Sequence, residues 1–331
     1  MKHYKKLLPI LIASTLSADQ FSFQLYNDFF AGTDQHFTNG VAFSWLDDTY
    51  EHKDDSSVNA YSELMIDAFK AVAPNGLDSS KRYSAGASIS QIIITPIDTT
   101  ISTAQYDDIP YAGYLALGLY LFEWDDDSFV EYRVDLGVVG PASGAQQMQN
   151  TFHSLLGNEY AKGWDTQIGT RYTVNALYRR GYISWKSKSL DSLSMDWFNH
   201  AGLQLGTFEI DAFVGTMFRI GDNYIQNFNV HYPYLREEAG LLEVDKQCHG
   251  FGWSLSTGIN GALNGYSYIV DQAKKDGYDI SQRTVNASLY LGAALYYNVH
   301  KLSYFYQSQS PYTNEQDSAD TFGSFMYTYQ F

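Results

Sequence analysis

The sequence has a single cysteine, Cys248, which excludes a disulfide bond within the chain. It is poor in basic residues, with 21 Lys and Arg against 37 Asp and Glu, and this argues against duplex nucleic acid as a partner. After residue 18 no apolar run approaches the roughly 20 residues that a transmembrane helix needs. If the mature chain enters a membrane, it must therefore do so as a closed β-barrel.

Residues 1–18 are predicted to be a secretory signal peptide. Three lysines among the first six residues precede an apolar run from Leu7 to Leu16, and Ala18 suits the last position before a cleavage site. At about ten residues the run is too short to span a bilayer as a helix. Loss of the three lysines leaves one mature domain, residues 19–331, with a formal charge of 18 − 37 = −19.

Period-2 alternation predicts an all-β fold. It is clearest in three segments, residues 129–138, 168–178 and 285–295. In the first segment Glu131, Arg133 and Asp135 alternate with apolar residues, so one face suits lipid and the other a polar lumen. A soluble β-sandwich also alternates, so the pattern alone does not distinguish the two folds.

Aromatic residues favour the membrane barrel. They make up 16% of the chain, gather at strand ends as aromatic girdles do, and form an alternating strand that ends at Phe331. About twelve strand-like segments, from residues 19–30 to 320–331, predict a twelve-stranded antiparallel transmembrane β-barrel in a bacterial outer membrane. Both termini, and two unusually long connections at 48–80 and 221–250, are expected on the periplasmic side.

Strand parity brings three unusual loops to the outward-facing end, because the turns after strands one, three and five must share it. These loops lie within residues 27–40, 106–113 and 140–160. The third is predicted to contain a helix, with a capping-box pattern at Ser143 and Gln146 and a stop signal at Gly157. An apolar stripe along the helix is expected to press on the barrel wall; it consists of Met148, Phe152 and Leu155.

His153 lies beside this stripe, at the expected crevice between helix and wall. Gln149 lies one turn earlier on the same face, and Glu159 follows the helix end, close enough to orient an imidazole or hold a cation. From these residues alone, a histidine with a structural or surface role explains the pattern better than a catalytic one.

Four short sequence motifs lie at or beside these loops. They are Asn27-Asp28 at the end of strand one, Thr38-Asn39-Gly40 at the start of strand two, Pro110-Tyr111-Ala112-Gly113 before strand four, and a long pattern of Gly137, Gly140, Pro141, Gly144, Gln149, Asn150, His153 and Gly157. Together they resemble the lipid A 3-O-deacylase family of outer-membrane enzymes over nearly the whole mature chain. The long pattern is specific, whereas an Asn-Asp pair alone is not.

The resemblance implies a twelve-stranded barrel that uses Ca²⁺ to hydrolyse the ester holding the 3′-acyloxyacyl chain of lipid A, a component of lipopolysaccharide. It implies that the active positions are Asn27, Asp28, Thr38, Gln149, His153 and Glu159. His153 would be the general base, and Asp28, with Glu159 as a second candidate, would hold Ca²⁺. The other three would position water or ligands. The lipid A substrate would lie in the outer leaflet of the outer membrane, and a monomer is expected.

One departure concerns the substrate. Many relatives carry a basic residue before Pro110, where this chain has Ile109, and no Lys or Arg occurs between Arg82 and Arg133. The departure predicts either a lipid A with fewer phosphates near the second loop or phosphate binding bridged by divalent cations.

Two other interpretations stay open. An outer-membrane phospholipase would use a Ser nucleophile with His, but Ser154 is adjacent to His153 and points away from it on a helix; His36 is a second candidate base. In a non-catalytic porin or adhesion barrel, the Asn-Asp pair would be a turn and His153 an ordinary loop residue.

Overall fold

The computed structural model describes residues 18–31, 37–51, 58–74, 76–157, 159–188, 193–224, 228–230, 239–241 and 248–331. The predicted signal peptide, apart from Ala18, lies outside these residues, and so does the candidate base His36.

The described residues form fourteen strands and three α-helices. The strands are β1 (Ala18–Asn27), β2 (Phe37–Asp47), β3 (Arg82–Ile94), β4 (Ala112–Trp124), β5 (Ser128–Val139), β6 (Arg171–Lys188), β7 (Leu193–Gly206), β8 (Glu209–Asp222), β9 (Phe228–Val230), β10 (Ala239–Leu241), β11 (Cys248–Ser267), β12 (Val285–Asn298), β13 (His300–Gln309) and β14 (Asp320–Gln330). The helices are α1 (Ala60–Lys70), α2 (Ala145–Leu156) and α3 (Tyr268–Lys275).

Twelve of the strands close into one antiparallel barrel, in the order β1-β14-β13-β12-β11-β8-β7-β6-β5-β4-β3-β2. The predicted fold class and strand number are confirmed. β9 and β10, which the sequence did not predict, pair with each other in the connection after β8. We call the end with β1's first residue the terminal end, and the end with the connections after β1, β3, β5, β7, β11 and β13 the loop end.

The predicted alternation separates the two faces of the wall. In β12, Ser288 and Tyr290 are buried on the lumen side, whereas Leu289, Leu291 and Leu295 are each about half exposed on the outside. Such a band of exposed aliphatic side chains is typical of a lipid-facing surface. None of the helices among the described residues has the length and apolarity that crossing a bilayer requires.

Buried ion pairs cross-link the wall on the lumen side. Arg179 in β6 contacts Glu131, its register partner in β5, and both side chains are fully buried. In the next strand pair, Arg219 Nε lies 2.8 Å from Asp196 Oδ1, and the Tyr224 hydroxyl donates to the same carboxylate at 2.9 Å. The lumen is therefore polar and tied across neighbouring strands.

An apolar layer lies at the loop end of the barrel. Helix α3 contributes Ile269 and Val270 to a buried cluster that includes Ile109, Ile168 and Phe208 from other loop-end connections. Phe208 stacks on Tyr114 of the wall with ring centroids 3.9 Å apart. A cavity of about 1080 Å³ is lined by residues of β6, β7, β8, β11, β12 and β13, among them the buried His200, Asn260 and Ser288.

Helix α1, which the sequence did not predict, packs outside the wall near the terminal end. Met65, Ile66 and Phe69 form a buried cluster with outward-facing residues of β3, β4 and β5. Its N-cap, Asn59, accepts hydrogen bonds from the N–H groups of Tyr61 and Ser62.

The β4–β5 turn at the terminal end carries three consecutive aspartates, and each is paired. Asp125 contacts Lys81, Arg82 lies 2.5 Å from Asp126, and Lys186 lies 2.6 Å from Asp127. The turn is therefore tied to its neighbouring strands.

Candidate active site

Helix α2 packs on the outer surface of β3 and β4. Even-numbered residues of β4 face the lumen, since Gly118 lies against the lumenal Arg133, and Gly113 therefore faces outward. A Cβ atom at Gly113 would lie 2.2 Å from both Ala145 Cβ and Ser143 Oγ, so only glycine allows the helix to approach the wall this closely. The crevice between helix and wall is thus on the outside of the barrel, at its loop end.

Two glycines set the ends of α2. Gly144 and Gly157 flank the helix in the left-handed conformation, with φ of 72° and 74°, and the predicted stop at Gly157 is confirmed. The predicted capping box is wrong: the N-cap is Gly144, which has no side chain to cap with, and the Ser143 hydroxyl donates to the carbonyl of Gly140 at 2.7 Å.

The face that α2 turns to the wall differs from the predicted stripe. Met148 is 36% exposed, so its predicted contact with the wall is wrong, whereas Ala145 and Gln149 are almost fully buried. The side chain of Leu155 is not among those described. Because Ala145 rests on Gly113, residues spaced four apart from it face the wall, and this set continues to the half-buried His153.

The imidazole of His153 is oriented by a main-chain group. Its Nδ1 lies within hydrogen-bond distance of the carbonyl oxygen of Glu159. A carbonyl oxygen can only accept, so Nδ1 carries the proton and Nε2 of the neutral ring is left as an acceptor. Such a ring is ready to take a proton through Nε2.

The carboxylate of Glu159 points elsewhere. Its side chain is 85% exposed, and Oε2 lies 3.8 Å from Nζ of Lys162. The residue therefore supports His153 through its carbonyl, while the carboxylate stands at the rim of the crevice.

Gln149 is held by an indole. The Nε1–H of Trp164 donates to Oε1 of Gln149 at 2.6 Å, in a buried contact. Nε2 of Gln149 is buried and has no hydrogen-bond partner in the structure. Trp164 packs against Tyr111, with ring centroids 5.1 Å apart, and burial raises the pKa of the Tyr111 phenol, which therefore stays neutral.

Gln91 joins the wall to the start of α2. It faces outward from β3, and its Nε2 donates to the carbonyl of Ser143 at 2.5 Å. Its Oε1 is buried without a hydrogen-bond partner. Gln149 thus leaves an unpaired amide donor and Gln91 an unpaired amide acceptor between α2 and the wall, and Oδ1 of Asn150 on α2 is also buried without a partner.

The turn after β1 folds over the outside of the neighbouring strands. A 3-10 turn, Asp28–Ala31, places Phe30 against Phe325, with ring centroids 5.0 Å apart, and the Tyr304 hydroxyl donates to the carbonyl of Phe30 at 2.9 Å. Asp28 begins this turn and is 3% exposed.

One row of register partners connects the two halves of the site. Asn27 in β1 pairs with Asn39 in β2, Asn39 with Ile93 in β3, and Ile93 with Gly113 in β4. At the usual spacing of strands, Asn27 and the seat of α2 are about 14 Å apart on the same outer surface. Thr38 lies at the register shift beside Asn39, and its side chain is not among those described.

The oxygens that the structure places in this region are of the kind that a hard cation prefers. Asp28 supplies a carboxylate, and Asn27 and Gln91 supply amide oxygens. In the described part of the chain, no three His, Cys, Asp or Glu side chains lie close enough together to hold a metal ion.

The family model described as outer membrane protein LpxR matches residues 5–331. The chain belongs to the LpxR family. The protein is located in the outer membrane, as predicted. The family resemblance inferred from the sequence motifs is confirmed.

One solved structure supports the barrel fold. LpxR from Salmonella typhimurium matches over 94% of this chain and 100% of its own, with a TM-score of 0.75 at 15% identity. The beta domain of the Bordetella autotransporter Brka covers 95% of this chain and all of its own, with a TM-score of 0.45 at 9% identity. No curated protein sequence matches the chain.

The motifs pointed to several residues of this LpxR-family site, but not to Trp164 or Gln91. Both act through contacts far along the sequence, 15 residues from Trp164 to Gln149 and 52 from Gln91 to Ser143. The Tyr111-Ala112-Gly113 motif has a structural role, because Tyr111 packs against Trp164 and Gly113 contacts the start of α2.

Replacing Gly113 with Val is expected to push α2 off the wall while the barrel still closes, because the new side chain overlaps Ala145 and Ser143. Hydrogen–deuterium exchange of residues 145–156 should rise at least about tenfold, with exchange in β4 and β5 unchanged. Gly169→Val is the control, since a Cβ there meets no atom within 4 Å. Equal protection of α2 in the two variants would contradict this account of the contact.

Proposed function

We propose that this LpxR-family protein is a lipid A 3-O-deacylase: a calcium-dependent carboxylic ester hydrolase that removes the 3′-acyloxyacyl chain of lipid A in the outer leaflet of the outer membrane. The observation that carries the proposal is His153, with Nδ1–H bound to a carbonyl and Nε2 left as a base, on a helix at the lipid-facing outside of the barrel.

The position of the crevice supports a lipid substrate. α2 and the Asp28–Ala31 turn both lie on the outer surface of the wall, where an acyl chain can reach them from the membrane without entering the lumen. With the loop end facing outward, as in other barrels whose termini are periplasmic, the crevice lies at the level of the outer leaflet.

His153 would act as general base. Nε2 takes a proton from water, and the hydroxide that forms attacks the ester carbonyl carbon. When the tetrahedral intermediate collapses, the bond to the sugar oxygen breaks, and that oxygen takes the proton back from His153. The products are a free fatty acid and a sugar hydroxyl, and the imidazole returns to its starting state.

Calcium would be held by Asp28 with neighbouring oxygens, and Glu159, whose carboxylate stands at the rim, is a second candidate ligand. Bound calcium would stabilise the negative charge that develops on the carbonyl oxygen. Asn27, Thr38 and Gln149 would position water or ligands around it.

The two rival functions fit the geometry less well. Ser154 is exposed next to His153 on α2 and so does not form the Ser–His pair of a phospholipase. A porin needs an open lumen, whereas Ile269, Ile109 and Phe208 from three loop-end connections form a buried apolar cluster here. The monomeric state stays an expectation.

Replacing His153 with Ala should abolish deacylation, with a loss of at least about 1000-fold, because the base is removed while the barrel is not altered. Mass spectrometry of lipid A from cells that produce each variant would show the 3′-acyloxyacyl chain retained. Ser154→Ala serves as the control and should keep wild-type activity. Full activity in His153→Ala would remove this residue from the mechanism.

Chelation of calcium should stop deacylation by the purified protein, and added calcium should restore it. The calcium concentration for half-maximal activity should rise at least about tenfold in Asp28→Asn, and less in Glu159→Gln, because a buried carboxylate interacts with a cation more strongly than an exposed one does. Activity that is insensitive to chelator would rule out the calcium part of the proposal.

The lack of basic residues between Arg82 and Arg133 bears on phosphate recognition. If the natural lipid A has fewer phosphates near the second loop, matched lipid A samples with and without the phosphate next to the 3′-acyl group should be hydrolysed within about threefold of each other. A strong requirement for that phosphate would instead favour recognition bridged by divalent cations.

A further inference from the structure

We propose that Trp164 is a positioning residue of this site: its indole N–H fixes the side-chain amide of Gln149 so that the amide nitrogen, and not the oxygen, is presented to the reacting ester. The inference rests on the proposed hydrolysis and assigns a task to a residue outside the motifs that indicated the site.

The chemistry of the contact determines how the amide is turned. An indole nitrogen can only donate a hydrogen bond, so the atom that receives it at 2.6 Å must be Oε1 of Gln149. The amide nitrogen then has to point away from Trp164. A free glutamine amide could turn by half a rotation at little cost, but this one would lose a buried hydrogen bond.

Trp164 is itself rigidly held. It is 1% exposed, begins the 3-10 turn Trp164–Thr166, and packs on Tyr111. The main chain on both sides is pinned to the preceding loop: the N–H of Lys162 donates to the carbonyl of Thr99 at 2.9 Å, and the N–H of Ile168 to the carbonyl of Tyr111 at 3.0 Å.

The amide nitrogen of Gln149 is a buried donor for which the protein itself supplies no acceptor. Gln149 precedes His153 by one helical turn on the face that α2 turns to the wall, so both side chains point into the same crevice. A donor beside the general base suits an oxygen atom that gains negative charge, as the ester carbonyl does during attack by water.

The test compares single and double variants of the full-length protein in lipid A deacylation. Trp164→Phe keeps an aromatic ring against Tyr111 but has no N–H, and kcat should fall about tenfold with KM unchanged. Gln149→Ala should lower kcat about 100-fold. Adding Trp164→Phe to Gln149→Ala should lower kcat by less than twofold more, because nothing is left to position.

Trp197→Phe is the matched control. Its indole also donates to a side chain, Thr216 Oγ1 at 2.5 Å, but it lies on β7, on a different part of the wall. This variant should keep wild-type kcat and KM. If Trp164→Phe costs the same factor with and without Gln149, or changes KM alone, Trp164 only supports the loop and the inference is overturned.

A readout without activity checks the contact itself. The protein has six tryptophans, so its ¹H–¹⁵N spectrum contains up to six indole signals, and the one lost in Trp164→Phe belongs to Trp164. That signal should move in Gln149→Ala and stay in place in Gln146→Ala; no movement in Gln149→Ala overturns the inference. A wild-type protein that leaves lipid A intact would refute the proposed function instead.

Discussion

The contact between Gly113 and Ala145 is the constraint on which the site depends. A closed barrel satisfies its backbone hydrogen bonds within the wall. The wall therefore has no irregular main chain at membrane depth that could form a site. Catalytic groups must then be brought to the wall from a loop. The missing side chain at Gly113 lets α2 approach β4 closely, and this approach sets which residues of the helix, Gln149 and His153 among them, face the crevice.

The lumen serves the site as a scaffold. Pairs such as Arg179 with Glu131 and Arg219 with Asp196 join strands that neighbour each other in the wall, and the apolar layer at the loop end joins α3 to the other loops. Buried ion pairs add little net stability, but losing one partner costs several kcal/mol, so they restrict the ways in which the strands can pair. A wall with a fixed register keeps Asn27, Asn39, Ile93 and Gly113 in one row, and the two halves of the site keep their separation.

The strands could be predicted from the sequence because alternation is a local property, and β5 and β12 show it without reference to any other segment. The contact face of α2 could not, because it depends on a glycine more than 30 residues earlier in the chain. Helical spacing alone predicts a stripe through Met148, but the long-range contact with Gly113 turns a different face to the wall. The positions of Gln149 and His153 on one face were predictable from helical spacing, while the partners that orient them, Trp164 and the carbonyl of Glu159, were not.

The same physics explains why this site is rich in amides and poor in cations. Burying an ion beside a lipid-facing wall costs several kcal/mol even when it is partnered, whereas an amide without a partner costs about 1–3 kcal/mol. The fold can therefore tolerate one unpaired polar atom on each of Gln91 and Gln149. A lysine or arginine at the same depth would need a permanent counter-ion, which would compete with the substrate. No Lys or Arg occurs between Arg82 and Arg133, so under the proposed function the crevice would recognise its lipid through neutral hydrogen bonds and leave the charge chemistry to His153 and Asp28.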